Sequence, residues 1–132
     1  MELTVVIPTL DEELSIGGCL ESVGIHKDVE VIVSDGGSSD RTRELAWSRG
    51  AHVVTGARGR GSQLNLGATS GSSRRLLFLH ADCRLPEGWM PALSRVLDDE
   101  NVSLACFRLR TLPSGSFEPS TIHRLWLRVF DL

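Results

Sequence analysis

The sequence predicts an α/β fold in which a mostly parallel sheet is flanked by helices. Two apolar runs rich in β-branched residues, LTVVIP (Leu3–Pro8) and VEVIVS (Val29–Ser34), are each followed by a segment of helical periodicity. A third run, inside RLLFLH (Arg75–His80), is too short for an ordinary helix and is typical of a strand covered on both faces. Strands that alternate with helices imply right-handed crossovers and a parallel sheet. With 132 residues, we expect one domain over 1–132.

A first helix is predicted over about 12–23, because apolar residues recur there at helical spacing. The stretch TLDE (Thr9–Glu12) has the form of a capping box, with Asp11 as a rival cap. Gly17 and Gly18 weaken this helix and indicate that another group packs closely against it.

The middle of the chain repeats the alternation of strand and helix. Ser39 or Asp40 can cap a second helix that ends near Gly50, where a left-handed residue is favoured. AHVVT at 51–55 is a third, short strand. A helix of small residues, Ser62–Ser70, follows a glycine-rich stretch.

The last third is predicted to hold a helix over about 86–97, a fifth strand over Ser103–Leu109, and a loop and terminal amphipathic helix within 111–132. Apolar residues at helical spacing define the terminal helix: Ile122, Leu125, Trp126, Val129 and Phe130. Its apolar face must be buried against the body of the protein, a second copy of the chain or a membrane surface. A homodimer through this helix is one hypothesis, and peripheral membrane contact is another.

The composition is that of an ordinary soluble globular protein. The chain is 41% hydrophobic with a formal net charge of −3, which gives no electrostatic footprint for nucleic acid. Three widely spaced cysteines do not suggest a disulfide framework, so we expect a reducing, cytoplasmic location. The start, MELTVVIP, does not have the form of a signal peptide. No apolar run approaches the length of a membrane span, so we expect any membrane association to be peripheral, at the inner face.

Three of the predicted strands end in polar clusters. The clusters are Pro8-Thr9 with Asp11 and Glu12, Ser34 to Gly37, and His80 to Asp82. The carboxyl ends of parallel strands share one edge of a sheet, and open α/β sheets bind their ligands at that edge. We therefore expect the three clusters to lie within reach of one ligand.

Each cluster offers a distinct chemistry. Asp35 can accept hydrogen bonds from a base or ribose, while Gly36-Gly37 lets the backbone approach a ligand closely. Arg58 and Arg60 can supply positive charge for a diphosphate, or they are solubilising surface charge. Asp82 can bind a hard divalent cation through oxygen, but an aspartate here also fits a cap for the following turn.

Several familiar sites are excluded by the sequence. The dinucleotide fingerprint GxGxxG is absent after the first strand, and GxxxxGK[ST] is absent because Lys27 is the only lysine. His80 and Cys83 have the spacing of half a zinc site, but no second pair accompanies them. The GGSSD stretch (36–40) has neither a neighbouring base nor the form of a nucleophile elbow, which argues against serine hydrolase chemistry.

Four ordered motifs resemble those of the family 2 glycosyltransferases. They are PTLDEE (Pro8–Glu13), VSDGGSSDRT (Val33–Thr42), RGRGSQLNLGA (Arg58–Ala68) and FLHADCRLP (Phe78–Pro86), and together they span most of the chain. More narrowly, the chain resembles the bacterial subgroup that carries HAD in place of DxD. The resemblance implies a Rossmann-like GT-A fold, a nucleotide-diphospho-sugar donor and a divalent metal, Mn or Mg.

The same resemblance assigns six residues to the nucleotide pocket and one to the metal. The six are Pro8, Thr9, Glu12, Asp35, Arg60 and His80. Asp35 is expected to meet the base and Arg60 to face the nucleotide or its phosphates, while Asp82 binds the metal. His80 replaces the first acid of DxD, so the ribose contact of that acid is not carried over.

The general base of the family is not found in this sequence. In inverting members a carboxylate deprotonates the acceptor hydroxyl while metal and basic groups stabilise the departing nucleoside diphosphate. That base comes from an acidic motif well beyond the fifth strand, and neither Glu118 nor Asp131 lies in such a motif. We therefore expect the donor-binding portion of a longer enzyme, or a shortened member with impaired catalysis. Two functions follow: an inverting glycosyltransferase with an unknown acceptor, or a nucleotide-sugar-binding module without turnover.

Overall fold

The computed structural model describes residues 2–108 and 127–129. The chain divides into two compact units, 1–84 and 85–132.

The first unit is a four-stranded parallel sheet flanked by helices, which confirms the predicted fold class. The strand order is β3-β2-β1-β4, so the first strand of the chain lies inside the sheet. The strands are β1 (Leu3–Thr9), β2 (Val29–Asp35), β3 (His52–Thr55) and β4 (Leu76–Phe78). The helices are α1 (Ile16–Val23), α2 (Thr42–Ser48) and α3 (Arg60–Ser70).

The core of this unit is built on β1, which pairs with β2 on one side and β4 on the other. Four side chains of β1, Leu3, Val5, Val6 and Ile7, are fully buried, and α3 packs against both β1 and β2. Gly67 of α3 lies directly over Val6. A Cβ atom on Gly67 would come well inside 3.0 Å of Val6 Cγ1 and within 3.4 Å of Val6 Cβ. The absence of a side chain at this position seats α3 directly on the sheet.

The fourth strand corrects one expectation. Leu76 and Phe78 are 38% and 51% exposed, so the prediction that this run is covered on both faces is wrong for these two residues. The strand is also shorter than predicted. Within the described part of the chain β4 pairs only with β1, and a strand with one neighbour at the edge of a sheet leaves part of its surface in water.

The capping box predicted before α1 does not form, and α1 begins at Ile16 without a side-chain cap. The Thr9 hydroxyl donates instead to Asp35 Oδ1 at 3.1 Å. The Glu12 N–H donates to Thr42 Oγ1 at 2.7 Å. Partners distant in the sequence, at the end of β2 and the start of α2, have therefore replaced the local partners that the sequence pattern suggests.

Gly17 and Gly18 are closely packed, as predicted. A Cβ atom on Gly17 would lie 3.1 Å from the guanidinium of Arg49, and one on Gly18 would overlap the guanidinium of Arg84. Each glycine therefore makes room for an arginine against α1.

The second unit contains α4 (Trp89–Leu97) and an antiparallel pair formed by β5 (Ala105–Phe107) and β6 (Leu127–Val129). The predicted terminal helix is wrong at 127–129, where the chain is a strand. Leu-Arg-Val alternates apolar and polar residues, so this short stretch fits a strand as well as a helix. The rest of 109–132 lies outside the described residues. No helix in the described ranges is long and apolar enough to cross a membrane.

Candidate functional site

The ends of the four parallel strands lie at one edge of the sheet, as the sequence predicts. Thr9 at the end of β1 is the register partner of Asp35 at the end of β2. The N–H of Gly56, just after β3, donates to the Asp35 carbonyl at 3.0 Å. On the other side, the N–H of Leu79 donates to the Val6 carbonyl at 3.0 Å, which carries the chain after β4 along β1. This edge therefore collects the polar residues that follow each strand.

Asp35 organises the turn after β2. It is fully buried, and its carboxylate accepts hydrogen bonds from the Thr9 hydroxyl, the Ser38 hydroxyl, the Gly37 N–H at 3.0 Å and the Ser38 N–H at 2.9 Å. The Arg43 guanidinium lies 3.8 Å away. Gly37 has a φ of +93°, a left-handed conformation that favours glycine. The carboxylate thus fixes the shape of the turn through partners in its own chain.

Two loops at this edge are joined by reciprocal hydrogen bonds. The backbone N–H groups of residues 11–13 donate to three side chains of the segment that leads from β2 into α2: Ser38 at 2.9 Å, Thr42 at 2.7 Å and Asp40 at 3.0 Å. In return the Asp11 carboxylate accepts the Ser39 N–H at 2.7 Å. Asp11 itself has a φ of +54°. No sequence pattern indicates this pairing, because its partners are 27 to 30 positions apart.

The Asp40 carboxylate accepts one hydrogen bond across this pairing and two from Thr42 in its own segment. Partial desolvation works against its charged form, but hydrogen bonds from the Thr42 hydroxyl, the Thr42 N–H and the Glu13 N–H hold its pKa below the ordinary value. The prediction that Ser39 or Asp40 caps α2 is wrong, because Arg41 occupies the N-cap position and α2 has no side-chain cap. Asp40 lies one residue earlier and accepts the Thr42 N–H at 2.9 Å.

Pro8 and Glu12 border the same edge and are both half-buried. The Glu12 carboxylate makes no hydrogen bond or ion pair with the described residues.

Arg58 and Arg60 lie where β3 leads into α3, and both are exposed. Gly59 between them has a φ of +137°, so it turns the chain sharply into the helix. Neither arginine pairs with an acid among residues 2–108 and 127–129. Their positive charge is therefore free to meet an anion at this edge.

Gln63, in the first turns of α3, is a buried residue that the sequence analysis missed. Its amide nitrogen donates to the Thr9 carbonyl at 2.6 Å and the Ser34 carbonyl at 3.0 Å. Its amide oxygen accepts the Gly59 N–H at 3.4 Å. The one available signal was a glutamine in a helix of small residues, and that pattern does not name its partners.

The segment after β4 brings His80 and Asp82 to the same edge. The buried Cys19 thiol of α1 donates to the His80 carbonyl at 3.5 Å, and the Cys83 N–H donates to the same carbonyl at 3.0 Å. Burial raises the pKa of Cys19 to about 12, and the nearby Cys83, Asp82 and Glu12 reinforce the effect. Asp82 and Glu12 thus both lie near this thiol. The His80 and Asp82 side chains are exposed.

The metal implied by the resemblance can be tested against the donors present. No cluster of three or more His, Cys, Asp or Glu side chains suited to a metal occurs among the described residues. The Asp82 carboxylate is exposed, and within residues 2–108 and 127–129 it accepts one weak hydrogen bond, from the Cys83 thiol at 3.6 Å. Mg²⁺-like cations are commonly held by one or two carboxylates together with substrate phosphates and water. Asp82 therefore fits a cation that arrives with a diphosphate, and the described residues do not form a metal centre of their own.

Comparison with solved structures supports the fold. S. aureus TarS is similar over 89% of this chain and 40% of its own, with a TM-score of 0.69 and 19% identity. Glucosyl-3-phosphoglycerate synthase from Mycobacterium tuberculosis, in complex with UDP, is similar over 76% of this chain and 42% of its own, with a TM-score of 0.66 and 26% identity. The same synthase has been solved with Mn²⁺ and UDP-glucose, at 27% identity. This chain thus spans less than half the length of either protein.

A search of curated proteins gave no significant match. The family model described as "Glycosyl transferase family 2" matches residues 4–131, which is almost the entire chain. Both the motifs quoted above and the parallel sheet agree with this match. The chain belongs to glycosyl transferase family 2 and has its GT-A fold.

Proposed function

We propose that the protein binds a nucleotide-diphospho-sugar at the carboxyl edge of the parallel sheet and transfers the sugar to an acceptor hydroxyl. The observation that carries this proposal is the convergence of strand ends: Thr9 and Asp35 are register partners, and the segment bearing Asp82 follows the adjacent strand β4. Family membership supports the reaction class. TarS has been solved with UDP-GlcNAc and the mycobacterial synthase with UDP-glucose, which supports a nucleotide sugar as the donor.

The nucleoside half of the donor is assigned to the ends of β1 and β2. Pro8, Thr9 and Glu12 border this part of the pocket, and Asp35 bounds the base. Because the Asp35 carboxylate already accepts bonds from Thr9 and from the turn after it, it acts on the base chiefly by fixing the exposed Gly37. A rigid turn reduces the entropy lost when the ligand binds.

The diphosphate half is assigned to Arg60 and to the HAD segment. Arg60 lies at the start of α3, where its guanidinium and the helix N-terminus both favour negative charge. Asp82 would hold a divalent cation, Mn²⁺ or Mg²⁺, which when bound supplies positive charge to the diphosphate. His80, two positions before Asp82, borders the nucleotide pocket. As the bond between the sugar and the diphosphate breaks, Arg60 stabilises the charge that develops on the departing nucleoside diphosphate.

We propose direct displacement with inversion at the anomeric carbon. The acceptor oxygen forms a bond to that carbon as the bond to the diphosphate breaks, and the hydroxyl proton passes to a carboxylate base. No residue in 2–108 or 127–129 is assigned as this base. The anomeric configuration of the product, read by NMR, tests the point: a product with the donor's configuration contradicts inversion.

A second candidate is a module that binds a nucleotide sugar without turnover. The lack of an assigned base among the described residues favours it. Binding with no hydrolysis and no transfer to any acceptor would support this alternative over the enzyme.

The proposed location is the cytoplasm, because all three cysteines are free thiols, as in a reducing compartment. Peripheral membrane contact and a homodimer remain hypotheses. Both depended on a terminal helix, and Val129 of that helix lies in β6.

Calorimetry with UDP and GDP, with and without Mn²⁺, tests the proposed function. We expect one nucleotide to bind more tightly with Mn²⁺. In Asp82→Ala we expect the Mn²⁺-dependent affinity to fall about tenfold or more, because a charge-assisted contact is lost. Glu87→Ala is the matched control, since it removes an exposed carboxylate five positions away. Binding of neither nucleotide by the wild type would refute the proposal, and equal loss in both variants would refute the role of Asp82.

A further inference from the structure

The Gln63 side chain connects three separate elements at the proposed site. It is 5% exposed. Its amide group forms hydrogen bonds with the Thr9 carbonyl at the end of β1, the Ser34 carbonyl near the end of β2 and the Gly59 N–H at the start of α3. Both donor hydrogens and the acceptor oxygen of the amide are therefore used.

The surroundings are shaped to this amide. A Cβ atom on Gly36 would lie 3.0 Å from Gln63 Cδ, so the glycine leaves room for it. The Thr9 carbonyl accepts a second bond from the Gly36 N–H at 2.9 Å. A buried amide with all its partners present holds its neighbours in one geometry, whereas a missing partner is costly.

The three connected elements carry different halves of the proposed donor site. Thr9 and the Asp35 turn serve the nucleoside, whereas Gly59 immediately precedes Arg60, which serves the diphosphate. The bond from Gly59 to Gln63 holds the chain at the residue whose φ of +137° turns it into α3. The direction of Arg60 relative to the nucleoside pocket therefore depends on this amide.

We propose that Gln63 is a positioning residue that sets the spacing between the nucleoside pocket and the diphosphate-binding arginine. This inference rests on the proposed function and adds to it the residue that couples its two halves. Gln63 does not contact the reacting atoms. It contributes to the affinity for the diphosphate by holding Arg60 in a fixed position relative to Thr9.

The test compares how the protein binds UDP, or GDP if that is preferred, and the matching nucleoside, by calorimetry and NMR titration. Gln63→Met keeps the length and approximate volume of the side chain but removes all three hydrogen bonds. We expect the ratio of diphosphate affinity to nucleoside affinity to fall about tenfold, the effect of one charge-assisted hydrogen bond. Asn65→Leu likewise replaces an amide with an apolar side chain of matching length, at an exposed position of the same helix, and its ratio should equal that of the wild type.

A merely structural role would lower both affinities together and leave their ratio unchanged. A ratio in folded Gln63→Met within about twofold of the wild type therefore overturns this proposal, while wild-type protein that binds no nucleotide overturns the proposed function instead. If Gln63→Met does not fold, the same affinity ratio is measured for Gly36→Ala instead. It displaces the amide by a few tenths of an ångström without removing a partner, and we expect the ratio to fall about threefold. An unchanged ratio there also overturns the proposal.

Discussion

Replacing Gly67 with alanine should push α3 away from the sheet. The helix packs on β1 at this residue, and Val6 opposite is fully buried. Val6 cannot easily turn aside, because a β-branched side chain has few rotamers and this one is enclosed by the core. A new Cβ atom would come well inside 3.0 Å of Val6 Cγ1 and lie 3.4 Å from Val6 Cγ2.

The size of the effect follows from these distances. Ordinary carbon contacts lie at about 3.5–4.0 Å, so α3 must move by about 1 Å. Overpacking of a core costs about 1–3 kcal/mol, and a shift of this size belongs to the upper end of that range. The higher helix propensity of alanine offsets about 1 kcal/mol of this loss in stability. The expected loss in the free energy of unfolding for Gly67→Ala is therefore about 2 kcal/mol.

Urea denaturation at equilibrium measures this loss, provided that the m-value is unchanged. Gly61→Ala is the matched control, because no atom lies within 4 Å of the position of its new Cβ. Because Gly61 lies in the first turn of α3 and not in the helix interior, this change should raise the free energy of unfolding by only up to about 0.5 kcal/mol. In a double-mutant cycle, Gly67→Ala should destabilise the Val6→Ala background much less than the wild type, because the clashing methyl group is absent, with a coupling energy of about 2 kcal/mol. A Gly67→Ala protein as stable as Gly61→Ala would refute the packing described above.

Three further predictions concern other parts of the first unit. Hydrogen bonds, the largest contribution coming from the Ser72 N–H, lower the pKa of the Glu30 carboxylate below 4.5. These bonds therefore stabilise the folded state above pH 4.5, and this stabilisation is lost as the pH falls through the lowered pKa. The difference in unfolding free energy between the wild type and Glu30→Gln should accordingly shrink in acid, and a difference that stays constant from pH 7 to 3 would contradict this. Cys19, with a pKa raised to about 12, should resist a thiol reagent at pH 8 until the protein unfolds, whereas exposed Cys106 reacts at once. Equal labelling of the two in the folded protein, read by peptide mass spectrometry, would count against the burial of Cys19. The Ser34 hydroxyl is a buried group without a hydrogen bond among the described residues, so Ser34→Ala should leave the free energy of unfolding unchanged or raise it by about 1 kcal/mol in urea titrations. A loss above about 1 kcal/mol would show that the hydroxyl has a partner.

The sequence sufficed for the features that follow from periodicity and topology. Apolar runs followed by polar clusters located the strand ends, and the rule that parallel strands end at one edge placed Thr9 beside Asp35. The paired glycines of α1 correctly indicated close packing. These features depend on local patterns, which a single sequence records.

Features that depend on partners far away in the sequence could not be predicted from local sequence patterns. Gln63 bonds to backbone carbonyls 54 and 29 positions away, and a backbone carbonyl has no signature in the sequence. The prediction of a capping box was wrong because Thr42, at the start of α2, is the partner of the Glu12 N–H. The exposure of Phe78 follows from the place of β4 in the strand order, which an apolar run does not specify.

The central claim is that one ligand spans the ends of β2 and β4. Those ends are two strand spacings apart, or about 10 Å. Paramagnetic broadening by Mn²⁺ with UDP, recorded on the backbone amides of Gly37 and Asp82, tests the claim directly. We expect both amides to broaden together in the wild type and neither to broaden in Asp82→Ala. Broadening at Asp82 alone, or at neither residue, would contradict a shared nucleotide site.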